Sequence, residues 1–456
     1  MIQSIIFIVV AAVAVGIASK AFLKIRRNIL LGQDVVIEGD TGERWKNVAL
    51  VAFGQKKMFK RILPAVFHLF IYVAFLMTQV ELIEIFIDGI FHQHRFFAPM
   101  LGGLYTFIIN FIEILSVLAF IATFVFLARR NLLKIPRFQK PEMNGWPKLD
   151  GNLILLFELI LLVGIFSMNG ADAVLQDINP AYYHDTGNLL VSSNLGPALF
   201  GGLSESTLVG IERFGWWLHI LMVFVFLNYL PYSKHLHIFL AFPNTYFAKL
   251  QPKGEMDNMP EVMNEVKSMM GLTEGGEEEM DMDAELPEFG AKDVTDLSWR
   301  NILQAYSCTE CGRCTSVCPA NITGKKLSPR KIVMDVRDRA EEIGKNLDSG
   351  NPEFIREDLR GDGVTLTQEN YDDGKSLFDY ISREEIHACT TCNACVEACP
   401  ILINPLDPIL KLRRYEILTE SAGPRDWLPM FNSVESGGAV WQMPDDRDKW
   451  AQELRD

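Results

Sequence analysis

Cys308-Thr-Glu-Cys311-Gly-Arg-Cys314-Thr-Ser-Val-Cys318-Pro319 and Cys389-Thr-Thr-Cys392-Asn-Ala-Cys395-Val-Glu-Ala-Cys399-Pro400 hold all eight cysteines of the chain. Both read C-x2-C-x2-C-x3-C-P, the spacing in which three thiolates close on one cubane and the fourth reaches its neighbour. Gaps of two let three sulfurs converge, while the gap of three and the following proline turn the chain away. Two 4Fe–4S clusters are therefore expected. Cys308, Cys311, Cys314 and Cys399 are assigned to one, and Cys389, Cys392, Cys395 and Cys318 to the other. Zinc and disulfides are the alternatives. Zinc motifs bring cysteines in twos or mix them with histidines, and disulfide frameworks suit small secreted domains rather than a 456-residue chain. Thiols in cluster motifs also require a reducing compartment, which places this half in the cytoplasm.

Working outward, the composition points to a membrane. Hydrophobic residues make up 49% and the mean hydropathy is +0.13, high for a wholly soluble protein of two or three domains. The formal charge of −14 argues against a nucleic-acid partner, which needs clustered Lys and Arg. Much of the acid lies between Glu255 and Glu288.

Five apolar spans precede the cysteines: Met1–Ala21, about Ile62–Ile90, Leu101–Ala128, Leu153–Met168 and Ile211–Leu230, the fourth being the shortest. The first is followed, not preceded, by Lys20, Lys24, Arg26 and Arg27, so it reads as a retained helix rather than a secretory signal. Orientation follows from the basic residues. Arg44, Lys46, Lys56, Lys57, Lys60 and Arg61 lie between spans one and two, and Arg129, Arg130, Lys134, Arg137, Lys140 and Lys148 follow span three. By contrast, residues 169–210 contain neither Lys nor Arg. The N-terminus is thus expected outside, and everything after His237 in the cytoplasm.

Histidines within spans are the next chemical feature. A single one serves as often for packing as for chemistry. His68 stands early in span two, while His219 and His237 are 18 residues apart, taken as the two ends of span five. On one straight helix that separation is five turns, which puts both imidazoles on one face about 27 Å apart, as axial ligation at two depths requires. His235 is expected to point elsewhere. Glu81, Glu84, Glu113 and Glu158 also fall within spans. Each is read either as a hydrogen bond to a neighbouring helix or as a proton-handling group at a quinone site.

This arrangement of five helices, an early histidine in the second and two histidines 18 apart in the fifth resembles the gamma subunit of respiratory nitrate reductase. That family is a b-type cytochrome of the bacterial cytoplasmic membrane that oxidises menaquinol, with two haems and four ligands. The resemblance implies haem b, menaquinone as substrate, and a His68–His237 pair. The family's further histidine ten residues after the first is Thr78 here, so a second haem lacks one of its ligands. Counting depth from the charged ends leaves a His68–His219 pair open as well.

After the spans, residues 246–293 form an acidic linker read as a flexible tether, with Gly275-Gly276-Glu277-Glu278-Glu279 at its centre and one short helix around Pro260–Met270. The cluster domain is taken as 294–425. Ser328-Pro329 opens a helix through Glu342 and Asp407-Pro408 another through Thr419. Helices flanking Cys308-Thr-Glu-Cys311-Gly-Arg-Cys314-Thr and Cys389-Thr-Thr-Cys392-Asn-Ala-Cys395 resemble the helical ferredoxin domain of heterodisulfide reductase C subunits and of succinate dehydrogenase iron–sulfur subunits. In fused relatives a module with repeated Cys-Cys-Gly motifs follows. Here the tail 426–456, with Trp427, Asn432, Glu435, Trp441 and Trp450, contains no cysteine, and it is read as a docking segment for a partner.

The expectation is a mainly α protein: a five-helix transmembrane cytochrome b bundle over 1–245, followed by a cytoplasmic α-helical two-cluster ferredoxin domain. No dinucleotide loop, P-loop or nucleophile motif is present. Its function is expected to be a relay of electrons between menaquinone, haem b and two clusters to or from a separate cytoplasmic Cys-Cys-Gly-motif protein or flavoprotein. A membrane anchor or assembly subunit without haem is the alternative.

Overall fold

The computed structural model describes residues 2–272, 289–440 and 448–454. Among the described residues five helices are long and apolar enough to cross a membrane: α1 (Ile2–Ile29), α2 (Ile62–Phe91), α3 (Gly103–Asn131), α4 (Trp146–Ile178) and α5 (Glu205–Tyr229). Large apolar side chains such as Ile5, Val9, Val13 and Ile17 of α1 are exposed. A helix apolar on every side, with its outward residues uncovered, is at home in lipid, where only intrahelical hydrogen bonds satisfy its backbone.

The fourth span is the longest of the five rather than the shortest. Polar residues at both ends hide its length in the sequence, because their partners lie on other elements. At one end Asp150 accepts from the hydroxyls of Tyr229 (2.6 Å) and Ser233 (2.7 Å) and from the Lys234 N–H (3.1 Å). At the other, Asn169 and Asp172 accept from the Arg95 guanidinium at 2.6 and 3.2 Å.

α4 and α5 meet through small residues, as membrane helices do when no apolar driving force separates them from lipid. A Cβ on Gly215 would stand 2.7 Å from the Met168 amide nitrogen and 2.8 Å from the Gly164 carbonyl oxygen. Both are backbone atoms that cannot turn aside. Gly215→Val is therefore expected to force the two helices apart at a cost of about 1–3 kcal/mol. A lowered melting temperature in detergent checks this, and an unchanged one refutes it.

α5 does not reach His237. It ends at Tyr229 and gives way to the turns Leu230–Tyr232 and Lys234–Leu236, after which His237 begins a separate helix, α6 (His237–Tyr246). Pro231 has no N–H to continue the ladder, and Ser233 is extended at φ −123° and ψ 148°. The expectation that His219 and His237 share one straight helix face is thereby overturned.

The cluster domain carries α7 (Trp299–Tyr306), α8 (Pro329–Ser349) and α9 (Leu406–Arg414), the last continued by a wider turn over Tyr415–Thr419. Ser328 caps α8 as its sequence suggests, accepting from the Lys331 N–H. α9 starts one residue before Asp407, whose carboxylate accepts from the Asn301 side chain at 2.7 Å instead of capping. Among the described residues no sheet forms, and extended pairing is limited to two isolated bridges. Ile302, Ile332, Val336, Ile386 and Leu412 build the core.

That core continues into the membrane half, since Ile25, Leu31 and Leu236 belong to it. Asn28 of α1 donates to the Tyr306 hydroxyl at 3.0 Å, and Arg27 donates to the Gly344 carbonyl at 2.7 Å. The ferredoxin domain thus sits directly on one end of the bundle. The helix expected near Pro260 spans Pro260–Met269. The acidic run 275–279 lies outside the described residues, as does Trp441, whereas Asn432 and Glu435 lie on α10 (Trp427–Gly437).

Candidate functional site

Each cysteine run folds as the same loop. Glu310 and Thr391 take φ of 52° and 55°, and Gly312 and Asn393, two residues on, take 68° and 59°. For a residue with a side chain that left-handed conformation costs about 1–2 kcal/mol, and it persists where the surroundings hold it. In both loops the return is the same: the amide of the left-handed residue points at sulfur, Glu310 N–H to Cys308 Sγ and Thr391 N–H to Cys389 Sγ, each at 3.4 Å. Gly312 has an added reason to be glycine, since a Cβ there would lie 2.5 Å from the buried Arg330 guanidinium.

The two loops exchange their last cysteines. Cys308, Cys311, Cys314 and Cys399 line one cavity, and Cys318, Cys389, Cys392 and Cys395 line another. Among the described residues no three His, Cys, Asp or Glu side chains close on a point as ligands of a single ion would; the thiols instead surround a gap. Burial pushes the Cys308 and Cys395 thiols up to about 12 and Cys399 up to about 11. These sulfurs are protonated at neutral pH until a metal displaces the proton. Cys392 alone among the eight is exposed.

Between bundle and ferredoxin domain lies a cavity of about 330 Å³, lined by His68, His235 and His237 together with Tyr72 and Phe75. Its far wall is shared with the first cysteine cavity through Thr309, Cys311, Arg313, Pro400 and Ile401. His237 Nδ1 lies 3.0 Å from the Lys234 carbonyl, to which it donates, and this leaves Nε2 free on a ring whose proton affinity burial lowers. His235 does not point elsewhere; its ring centroid is 5.4 Å from that of His237. The tight turn after Pro231 brings the two together, which helical spacing does not anticipate. His219 lies apart, its Nδ1 3.1 Å from the Leu161 carbonyl, and it is not among the cavity's lining residues. Thr78, at the position of the missing histidine, hydrogen-bonds back to the Phe75 carbonyl at 3.1 Å.

The membrane carboxylates fall into two groups. Glu81 and Glu84 belong to a buried network on Arg95, with Glu81 3.7 Å from the guanidinium and Glu84 accepting from Tyr105 at 2.7 Å and from the Phe97 N–H at 2.9 Å. Glu113 accepts from the Val191 N–H at 2.8 Å, at the start of the short helix Ser192–Phe200. These three hold helices and loops together. Glu158 stands one turn deeper than Ile154 and Leu155, which line the histidine cavity, and has no hydrogen bond or ion pair with the described residues. The network missed in the sequence is the one on Arg95, where His94 also meets Asp172 at 2.9 Å. Arg95 reads there as a lone outward charge, because its partners come from other helices.

Comparison with known proteins agrees on the cluster half. Residues 307–403 match the family model described as a 4Fe-4S dicluster domain. The chain is similar over its whole length, at 28% identity, to a probable iron-sulfur-binding oxidoreductase FadF of Bacillus subtilis, of which it covers 61%. Over 86% of its length it is 26% identical to an EtfAB:quinone oxidoreductase of Syntrophomonas wolfei, of which it covers 51%. A shorter stretch, 38% of the chain, is 33% identical to a probable membrane-anchored ferredoxin of Chromohalobacter salexigens, of which it covers 25%. The chain thus spans roughly half to three-fifths of the first two relatives. No solved structure matches. Two of these relatives are named as oxidoreductases and the third as a ferredoxin, and the chain is a membrane protein with a 4Fe–4S dicluster domain suited to electron transfer.

Proposed function

We propose that the chain relays electrons between menaquinone in the membrane and a cytoplasmic redox protein through haem b and two 4Fe–4S clusters. The observation that carries this reading is the wall shared by the histidine cavity and the first cysteine cavity, a single layer of residues that lines both. Cys308, Cys311, Cys314 and Cys399 would hold the first cluster, and Cys389, Cys392, Cys395 and Cys318 the second. The donor set also fits haem b: His68 and His237 face one cavity of about 330 Å³, and His237 has one ring nitrogen engaged and one free. Bound there, haem supplies a one-electron couple beside the first cluster. His68 and His237 would orient it, the apolar walls at Tyr72 and Phe75 exclude water, and Glu158 is the remaining candidate for a proton at a quinone site. Glu81, Glu84 and Glu113 are committed to structural bonds and are weaker candidates.

The basic loops after α1 and α3 support an N-terminus outside the cytoplasmic membrane of a bacterium and a ferredoxin domain inside. The exposure of Cys392 supports the second cluster as the outlet to the soluble partner. The Syntrophomonas relative's name pairs EtfAB with quinone, which favours a flavoprotein over a Cys-Cys-Gly-motif protein in that role. The test is optical. Dithionite-reduced protein in detergent should show b-type bands that a soluble menaquinone analogue bleaches together with the cluster signals. Protein with two full clusters and no b-type bands sinks the haem reading and leaves a membrane anchor.

A further inference from the structure

We infer that Arg130 and Arg137 bind the two propionate carboxylates of a haem seated on His68 and His237, so that the carboxylate edge of the macrocycle faces the first cluster. This rests on the haem reading above and assigns residues that no comparison names. The cavity is strongly unbalanced in charge. Arg129, Arg130, Arg137, Arg313 and Lys234 line it, whereas Glu310 is the one carboxylate among its lining residues. Glu310 is already spent, paired with Lys234 and, at 2.9 Å, with Arg337. Arg313 donates to the carbonyls of Lys57 (3.2 Å) and Met58 (3.5 Å), not to an acid.

Arg130 and Arg137 are left incomplete. The Nε of each is buried without a hydrogen-bond partner; so is that of Arg330, but Arg330 is paired with Glu142 at 2.7 Å, whereas Arg130 and Arg137 have no ion pair with the described residues. Arg130 keeps one hydrogen bond, to the Pro147 carbonyl at 3.1 Å, and both guanidinium groups lie over the Phe138 ring, Arg130 at 5.5 Å and Arg137 at 4.8 Å. Burial, with Arg61, Arg129 and Arg313 nearby and only Cys311 opposing them, lowers Arg137 to about 10. Buried cations without acids are costly unless an anion completes them, and the planar guanidinium fork matches a carboxylate. Haem is the proposed occupant that brings two carboxylates into this space. A Cβ on Gly312, the neighbour of Cys311, would lie 3.3 Å from the Arg137 Cβ, so an anion held by Arg137 lies on the cluster side.

The experiment uses full-length protein in detergent, with haem or its dimethyl ester added to protein made in haem-starved cells. Wild type should take haem at least tenfold more tightly than the ester, and R130Q/R137Q should bind both alike. Redox titration should show the variant's haem midpoint falling by at least about 59 mV, a tenfold shift for a one-electron couple, because lost positive charge disfavours the added electron. Cluster magnetic-resonance signals report folding, and R137Q alone carries the test if R130Q disturbs the packing at Gly151. Equal affinity of wild type for haem and ester, with an unmoved midpoint, overturns this inference while leaving the haem reading intact. Protein that takes up neither compound sinks both. Loss from the variant of a co-purifying anionic phospholipid, with haem affinity unaltered, would assign the arginines to a lipid headgroup and also overturn it.

Discussion

Cys399→Ser is expected to remove the cluster built on the other run, at Cys308, Cys311 and Cys314, and to leave the one nearest to it in sequence. Cys399 shares its cavity with those three thiols and accepts the Ile403 N–H at 3.3 Å, whereas Cys389, Cys392 and Cys395 surround a different gap with Cys318. Serine offers a harder, less readily ionised donor than thiolate, so the iron it should hold is lost. Iron content should fall from about eight atoms per chain to about four. One of two reduced-cluster signals should vanish from the magnetic-resonance spectrum, and it should be the signal that Cys308→Ser also removes. Cys318→Ser should remove the other, matching Cys389→Ser. If each variant instead loses the cluster of its own run, the crossed assignment is wrong.

His68→Ala and His237→Ala should each abolish b-type absorption, and His219→Ala should keep it. The first two line the cavity beside the first cluster, and the third is turned to the Leu161 carbonyl on α4. Loss should be complete, because one remaining axial imidazole does not hold a low-spin bis-histidine centre. His235 is the internal control: it stands beside His237 yet is not proposed as a ligand, so His235→Ala should retain the bands with a shifted midpoint. Bands lost in His219→Ala and kept in His237→Ala would restore the pairing that the depth of His68 left open.

How much of this was legible depended on whether a feature is local in sequence. The cysteine runs were, because thiolate spacing is set by the chain between the ligands, and the repeated left-handed residues at Glu310 and Thr391 follow from it. The five spans were legible too, since lipid demands apolar length. Their ends were not: Asp150 and Asp172 look like charges that should stop a helix, and they stay inside α4 because Ser233 and Arg95 satisfy them from elsewhere. Periodicity misplaced His237, as it presumes an unbroken helix where Pro231 and Ser233 break one. The same break made His235 a neighbour of His237. The arginine wall went unseen because Arg130 and Arg137 look like loop charges that only orient the bundle, and a cavity has no sequence signature.

The contact of α1 with the ferredoxin domain bears on how the protein is made. Arg27 and Gly344 are 317 residues apart, so α1 waits for a long stretch of later chain before its C-terminal end is covered. What covers it is a domain whose buried thiols surround two gaps, and such a domain gains much of its folding energy from metal. Iron supply thereby becomes a checkpoint for membrane assembly. In iron-starved cells the bundle should insert but leave Asn28 and Ile25 uncovered at the end where the ferredoxin domain sits. Pulse-labelled protein should then be degraded faster than in iron-replete cells, and equal lifetimes would show that the bundle matures independently of its passenger.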